Sequence, residues 1–171
     1  MAEFVPLDQD SWEAASWPLG PHTQGEVTSF AVHAPNATRV LLECYDEPAG
    51  ADAVFDVACA RGADGAWRAK VAGAGHGTLY AYRCWGPNWP YDESWSRGDS
   101  GAGFVADIAE GGDRFNPNKV LFDPYAREIT HNVLAECVEA SGGDAGVFGT
   151  GCAVHRDRPR REVDTGRYAP K

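Results

Sequence analysis

Between residues 27 and 85 apolar side chains recur at every second position in short runs, each closed by Gly, Pro, Asn or Asp, and helical spacing is almost absent. A period of two sends alternate side chains to opposite faces of a strand, so this stretch predicts successive half-buried strands. Residues 27–34 align Thr28, Phe30, Val32 and Ala34, and the turn Pro35-Asn36-Ala37 follows. Residues 39–45 group Val40, Leu42 and Cys44; residues 53–59 group Phe55, Val57 and Cys59. In residues 66–71, Trp67, Ala69 and Val71 oppose Arg68 and Lys70. In residues 79–85, Tyr80, Tyr82 and Cys84 oppose Leu79, Ala81, Arg83 and Trp85. These last two strands follow each other across a Gly-rich turn and are expected to form a hairpin. Tyr80 and Tyr82 are expected in the core, whereas Trp67 reads equally as a core residue or as a ligand platform.

Strands of this length and spacing predict an all-β, immunoglobulin-like β-sandwich. After Trp85 the chain changes character. Residues 86–120 hold few apolar alternations, and Trp85, Trp89, Tyr91 and Trp95 fall among turn-setting Gly, Pro, Asn and Asp, which predicts a long aromatic loop. A short apolar run, Val120-Leu121-Phe122, is expected to end the sandwich before the exit peptide Asp123-Pro124-Tyr125-Ala126. Residues 127–171 include a Gly-rich stretch at 141–151 and a basic cluster at 156–161, and read as an irregular C-terminal connector.

The phrases WGPNWPYDESWSRGDSGAGF, from Trp85, and GDRFNPNKVLFDPYARE, from Gly112, closely resemble the amino-terminal part of isoamylases and bacterial glycogen-debranching enzymes of glycoside hydrolase family 13. The resemblance continues through FAVHAPNATRVLLECYD to the closing TGRYAPK. It implies a carbohydrate-binding module of class 48 with an immunoglobulin-like fold, which in the family precedes a catalytic (β/α)₈ barrel that cleaves α-1,6 branches. Such a barrel needs roughly 250 residues, and this chain has 171. The expected organisation is an N-terminal extension at 1–17, the module at 18–126, and a connector toward the barrel at 127–171. The expected function is that of a non-catalytic accessory domain that binds α-glucan, supports the barrel, or does both. The retaining Asp nucleophile and Glu acid implied for the parent lie on the barrel, so no catalytic residue is assigned here.

The candidate binding or barrel-docking residues are Trp67, Arg83, Trp85, Trp89, Tyr91, Asp92 and Trp95. A glucosyl ring offers an apolar face to an indole and a belt of hydroxyls to neighbouring Asp, Asn or Arg. In the family a basic residue on the Tyr-x-Tyr strand contacts glucan, and the matching position is Arg83. About 100 Å² of apolar surface on one ring corresponds to roughly 2.5 kcal/mol before ordering costs, so one or two platforms bind weakly. Asp92, Glu93 and Asp99 resemble a carboxylate pair in number, but their turn-rich setting offers no rigid cleft.

Twenty-five acidic against 15 basic residues, a net charge of −10, argue against nucleic acid or an anionic membrane as partners. Glycogen, starch or malto-oligosaccharides carry no such penalty. The five cysteines show no CxxC spacing and the five histidines no close pair, so no metal site, no cofactor and no disulfide framework is expected. Some isoamylases hold calcium through a carboxylate just beyond the exit peptide; the matching position here is Asn132, so no calcium is expected. Residues 1–10 lack a basic segment followed by an apolar one, and a cytoplasmic location is expected.

Overall fold

A computed structural model describes residues 3–47, 52–98, 100–129 and 153–154. The Gly-rich stretch at 141–151, the basic cluster at 156–161, Asn132 and Asp99 lie outside them.

The described residues form two antiparallel sheets and no α-helix. Sheet A runs in the order β1 (Val5–Pro6), β7 (Ala66–Ala72), β3 (Val27–His33), β2 (Gly20–Gln24), with β6 (Ala60–Arg61) also paired to β7. Sheet B runs β5 (Phe55–Ala58), β4 (Arg39–Tyr45), β8 (Leu79–Trp85), β10 (Ala153–Val154), β9 (Glu128–Ile129). The predicted inward sets close on one another between the sheets. Phe30, Val32, Trp67, Ala69 and Val71 of sheet A join Val40, Leu42, Cys44, Val57, Tyr80, Tyr82 and Cys84 of sheet B in one buried cluster. Phe30 and Tyr80 meet across it with ring centroids 5.0 Å apart. The protein is an immunoglobulin-like β-sandwich.

Trp67 is settled by this packing. It is 6 % exposed, belongs to the core cluster, and donates its indole N–H to the Ala34 carbonyl at 2.9 Å. Its face is enclosed by the sandwich, so it is a core residue and offers no platform.

The expected hairpin of β7 and β8 does not form. β7 pairs with β3 in sheet A and β8 with β4 in sheet B, so the intervening turn carries the chain from one layer to the other. Both strands have a continuous apolar face, and facing each other across the core buries both. Gly73 allows the crossing: its φ is +82°, and a Cβ there would lie 2.4 Å from the Glu3 carbonyl oxygen.

Sequence periodicity also passed over the shortest strands. β1, from the region read as an extension, adds an edge to β7 (Val5↔Ala72), and nearby Trp12 is buried with its indole N–H on the Leu7 carbonyl at 2.7 Å. β2 carries Pro21, tolerable because β2 is an edge strand. Beyond residue 126, β9 pairs with β10 and β10 with β8, so sheet B takes in part of the region read as connector.

Cys59 and Cys84 are free thiols inside the sandwich, and Cys44 is buried with them. Burial pushes the Cys59 thiol far above its ordinary value and Cys84 up to about 12. Cys59 and Cys84 should therefore resist a thiol-labelling reagent at pH 8 in the folded protein and react once it is unfolded, which mass spectrometry of labelled peptides would read directly. Rapid native labelling of Cys59 or Cys84 would contradict this core.

Candidate functional site

The second face of sheet B should meet solvent in a simple sandwich, yet Leu41, Glu43 and Tyr45 on β4 and Ala81, Arg83 and Trp85 on β8 are all buried. The cover is the stretch from Gly86 to Val120. Gly86 admits it at the start, since a Cβ there would fall 2.0 Å from the Phe115 ring. Two asparagines then hold its backbone. Asn88, buried, takes the Phe115 N–H at 2.7 Å and donates to the carbonyls of Phe115 at 2.8 Å and Ala106 at 3.1 Å. Asn118 accepts from the Trp95 indole at 3.2 Å and the Ser100 N–H at 3.3 Å, and donates to the Ser100 carbonyl at 2.9 Å. A long loop without strands is ordered by such side-chain bonds to backbone.

Beneath the cover lies an ion-pair network. Glu43 is 0 % exposed and receives Arg83 in a fork, Nε to Oε1 at 2.9 Å and Nη2 to Oε2 at 3.0 Å. Arg97, from the cover, reaches the same Oε1 at 3.0 Å and then Asp56 on β5 at 2.6 Å. Tyr45 donates its hydroxyl to Glu43 at 2.5 Å. Burial alone would raise the Glu43 pKa; the Arg83 hydrogen bond and charge, with Tyr45 and Arg97, outweigh it and hold the carboxyl below its ordinary 4.5.

The sequence-predicted site residues meet in part. Arg83 spends its remaining Nη1 on the Pro117 carbonyl at 2.5 Å and lies under the Trp95 ring, 5.2 Å from its centroid. It anchors the loop, and its donors are not free to fork onto sugar hydroxyls. Trp85 is 0 % exposed, in edge contact with Tyr91 at 5.4 Å and Trp95 at 5.1 Å, and its indole N–H has no protein partner among the described residues. Neither indole face of Trp85 reaches solvent. Trp89 and Trp95 are half-buried. The Trp89 indole donates to the Ala102 carbonyl at 2.8 Å and its ring meets Phe104 at 4.8 Å. Tyr91, 41 % exposed, carries the Arg39 guanidinium 4.0 Å from its ring centroid. Asp92 is exposed and its carboxylate accepts the Ser94 N–H at 2.8 Å, a turn-closing role. Trp67 is remote from all of these, in the core of the sandwich.

Glu43, Arg97, Asn88 and Asn118 were not singled out from sequence. Glu43 and Arg83 had one signal in common, a charge in the interior of a strand whose neighbouring residues are apolar or aromatic. No group of metal-ligating side chains occurs among the described residues, and no helix there is long and apolar enough to cross a membrane.

With this geometry in view, relatives become informative. A family model for carbohydrate-binding module 48, the isoamylase N-terminal domain, matches residues 18–126. The chain belongs to that family. As a class 48 module it is 38 % identical over 155 residues to the isoamylase of Pseudomonas amyloderamosa, covering 86 % of this chain but 18 % of that enzyme. It is 37 % identical over 112 residues to the glycogen debranching enzyme of Klebsiella pneumoniae, covering 66 % of this chain and 14 % of that protein. The pullulanase of Paenibacillus barengoltzii, solved with maltohexaose and α-cyclodextrin, shares the fold at a TM-score of 0.50 and 20 % identity, over 87 % of this chain and 16 % of that one. The class 48 module therefore spans less than a fifth of the isoamylase it matches, and corresponds to the non-catalytic accessory region of such enzymes.

Removing one partner of a buried ion pair costs about 3–5 kcal/mol, whereas an exposed pair contributes at most about 1. Glu43→Gln should therefore lower the urea unfolding free energy by about 3–5 kcal/mol, and Asp56→Asn by no more than about 1 kcal/mol. Because the folded Glu43 pKa is depressed, its contribution is complete above pH 4.5 and lost as the pH falls through the folded value. Wild-type stability should thus fall more steeply on acidification than that of Glu43→Gln. Equal slopes in the two proteins would refute the network.

Proposed function

We propose that this module is the accessory domain of a debranching hydrolase acting on α-1,6-glucosidic linkages of glycogen or starch, and that its main task there is to seat the catalytic (β/α)₈ barrel. The observation that carries this reading is the contrast between two sets of apolar residues. Of the aromatics that would serve as sugar platforms, Trp67 and Trp85 have their faces inside the protein, and Arg83 is committed to Glu43. Leu121, Phe122, Tyr125 and Ile129 instead stand exposed within residues 121–129, the exit peptide and its flanks. Apolar residues gathered on one segment fit a packed neighbour better than a hydroxyl-rich polymer.

Contact with α-glucan or malto-oligosaccharides is a weaker, second role, supported by the family and by Tyr91. One face of that ring is engaged by Arg39, which leaves a single-ring platform and the roughly 2.5 kcal/mol such a stack provides. The buried free thiols of Cys59 and Cys84 support a reducing, cytoplasmic setting.

Two measurements test this. In affinity electrophoresis through glycogen, the 171-residue chain should be retarded only slightly, and Tyr91→Ala should remove the retardation. For the seat, the chain is grafted in place of the matching region of the Pseudomonas amyloderamosa isoamylase. The double substitution Leu121→Ser, Phe122→Ser should lower the unfolding midpoint of the chimaera by about 2–4 °C and leave that of the isolated module nearly unchanged. Micromolar glycogen affinity together with a chimaera indifferent to the double substitution would reverse the ranking of the two roles.

A further inference from the structure

The exit phrase that begins at Asp123 takes no part in the aromatic cover, yet it is tied to the deepest part of the fold. Leu121 exchanges both backbone hydrogen bonds with Tyr82, at 2.8 and 2.7 Å, on the edge of β8. Two residues later Asp123, 1 % exposed, accepts the Tyr80 hydroxyl on Oδ2 at 3.0 Å and the Tyr125 N–H on Oδ1 at 2.8 Å. Its own carbonyl takes the Ala126 N–H at 3.0 Å. Tyr80 is in turn wholly buried and packed on Phe30 of the opposite sheet. Behind the turn, a Cβ on Gly20 would lie 2.9 Å from the Tyr125 Cβ, so Gly20 leaves the space the turn occupies.

A carboxylate is a costly way to fill a buried position. Burial raises the Asp123 pKa despite the bonds from Tyr125 and Tyr80 and the nearby His22. An apolar residue would fill the same volume more cheaply, but it would not fix two donors in a plane. The carboxylate contributes direction: it joins a ring at the centre of the sandwich to the turn that carries Tyr125, between Leu121 and Phe122 on one side and Ile129 on the other.

We propose that Asp123 is a positioning residue that fixes the direction and register of the exit strip, residues 121–129, so that its four exposed apolar side chains meet the catalytic domain as a preformed surface. This rests on the reading of that strip as the seat of the barrel, and it adds the residue on which the geometry of the seat depends.

Amide hydrogen exchange of the 171-residue chain tests the pin, and the isoamylase chimaera tests its use. In Asp123→Ala, the amides of Leu121, Tyr125 and Ala126 should exchange about ten-fold faster while those of Phe30 and Ala69 hold their protection. Asp123→Asn keeps an acceptor for Tyr125 and should restore exchange to within about three-fold of wild type. In the chimaera, Asp123→Ala should shorten the activity half-life at elevated temperature about five-fold, Asp123→Asn should largely restore it, and Leu121→Ser with Phe122→Ser should add little on top of Asp123→Ala. Unchanged exchange at Leu121, or an equal loss of protection at Phe30, overturns the pin. A chimaera sensitive to the Leu121, Phe122 pair but indifferent to Asp123→Ala overturns the positioning role alone. Indifference to both removes the seat and this inference with it.

Discussion

Glu43 sits on the outward face of a central strand without any contact with water, and that arrangement has to be compensated from outside the sheet. Arg83, on the neighbouring strand, supplies the larger part of the compensation with Tyr45 beside it, and Arg97, fifty-four residues along the chain, adds to it. An uncompensated carboxylate in that position would be expelled or neutralised. The insert therefore cannot leave the sheet without exposing a stranded charge, and this coupling converts a long, turn-rich loop into a third layer on an otherwise two-layer fold. Tyr91 and Trp95 of that layer pack on Trp85 of β8. Their enrichment reflects a second, smaller core beneath the cover as much as any surface for ligand.

What could be read from the chain follows from range. Alternation within a strand is local, and it identified Phe30, Val32, Leu42, Trp67, Tyr80 and Tyr82 as facing one way, as they do. It also separated Arg83 and Trp85 from Tyr82, correctly, but gave no reason to bury them, since the outer face of an antiparallel sheet is ordinarily wet. Their burial depends on partners far along the sequence, Glu43 with Arg83 and Asn88 with Phe115, which no periodicity encodes. Strands of two residues, such as β1 and β6, are shorter than one full alternation and leave no pattern. The hairpin of β7 and β8 failed for a related reason: adjacency and matching faces are equally satisfied by two strands side by side and by two strands on opposite layers.

The phrases that carried the family resemblance prove to be structural words. Within WGPNWPYD, Gly86 makes room for Phe115 and Asn88 fastens the backbone on both sides of it. Within RFNPNK, Asn118 fastens Trp95 and Ser100. The two phrases address one another, which is why they occur together. A motif composed of Trp and polar residues invites a reading as a recognition surface, and here most of its polar groups recognise the protein's own main chain.

The edge of β8 has its own significance. Leu121 closes part of it and β10, backed by β9, closes another part through Leu79 and Tyr80. Both closures are made by chain that follows the strand, and one lies beyond the stretch that defines the family. A version trimmed at residue 126 would keep Leu121 on Tyr82 yet bare the backbone edge of β8 at Leu79 and Tyr80. Such an edge is a template on which a second molecule can add a strand. The solubility of an excised module would then depend on a pair of residues outside the stretch that defines the family.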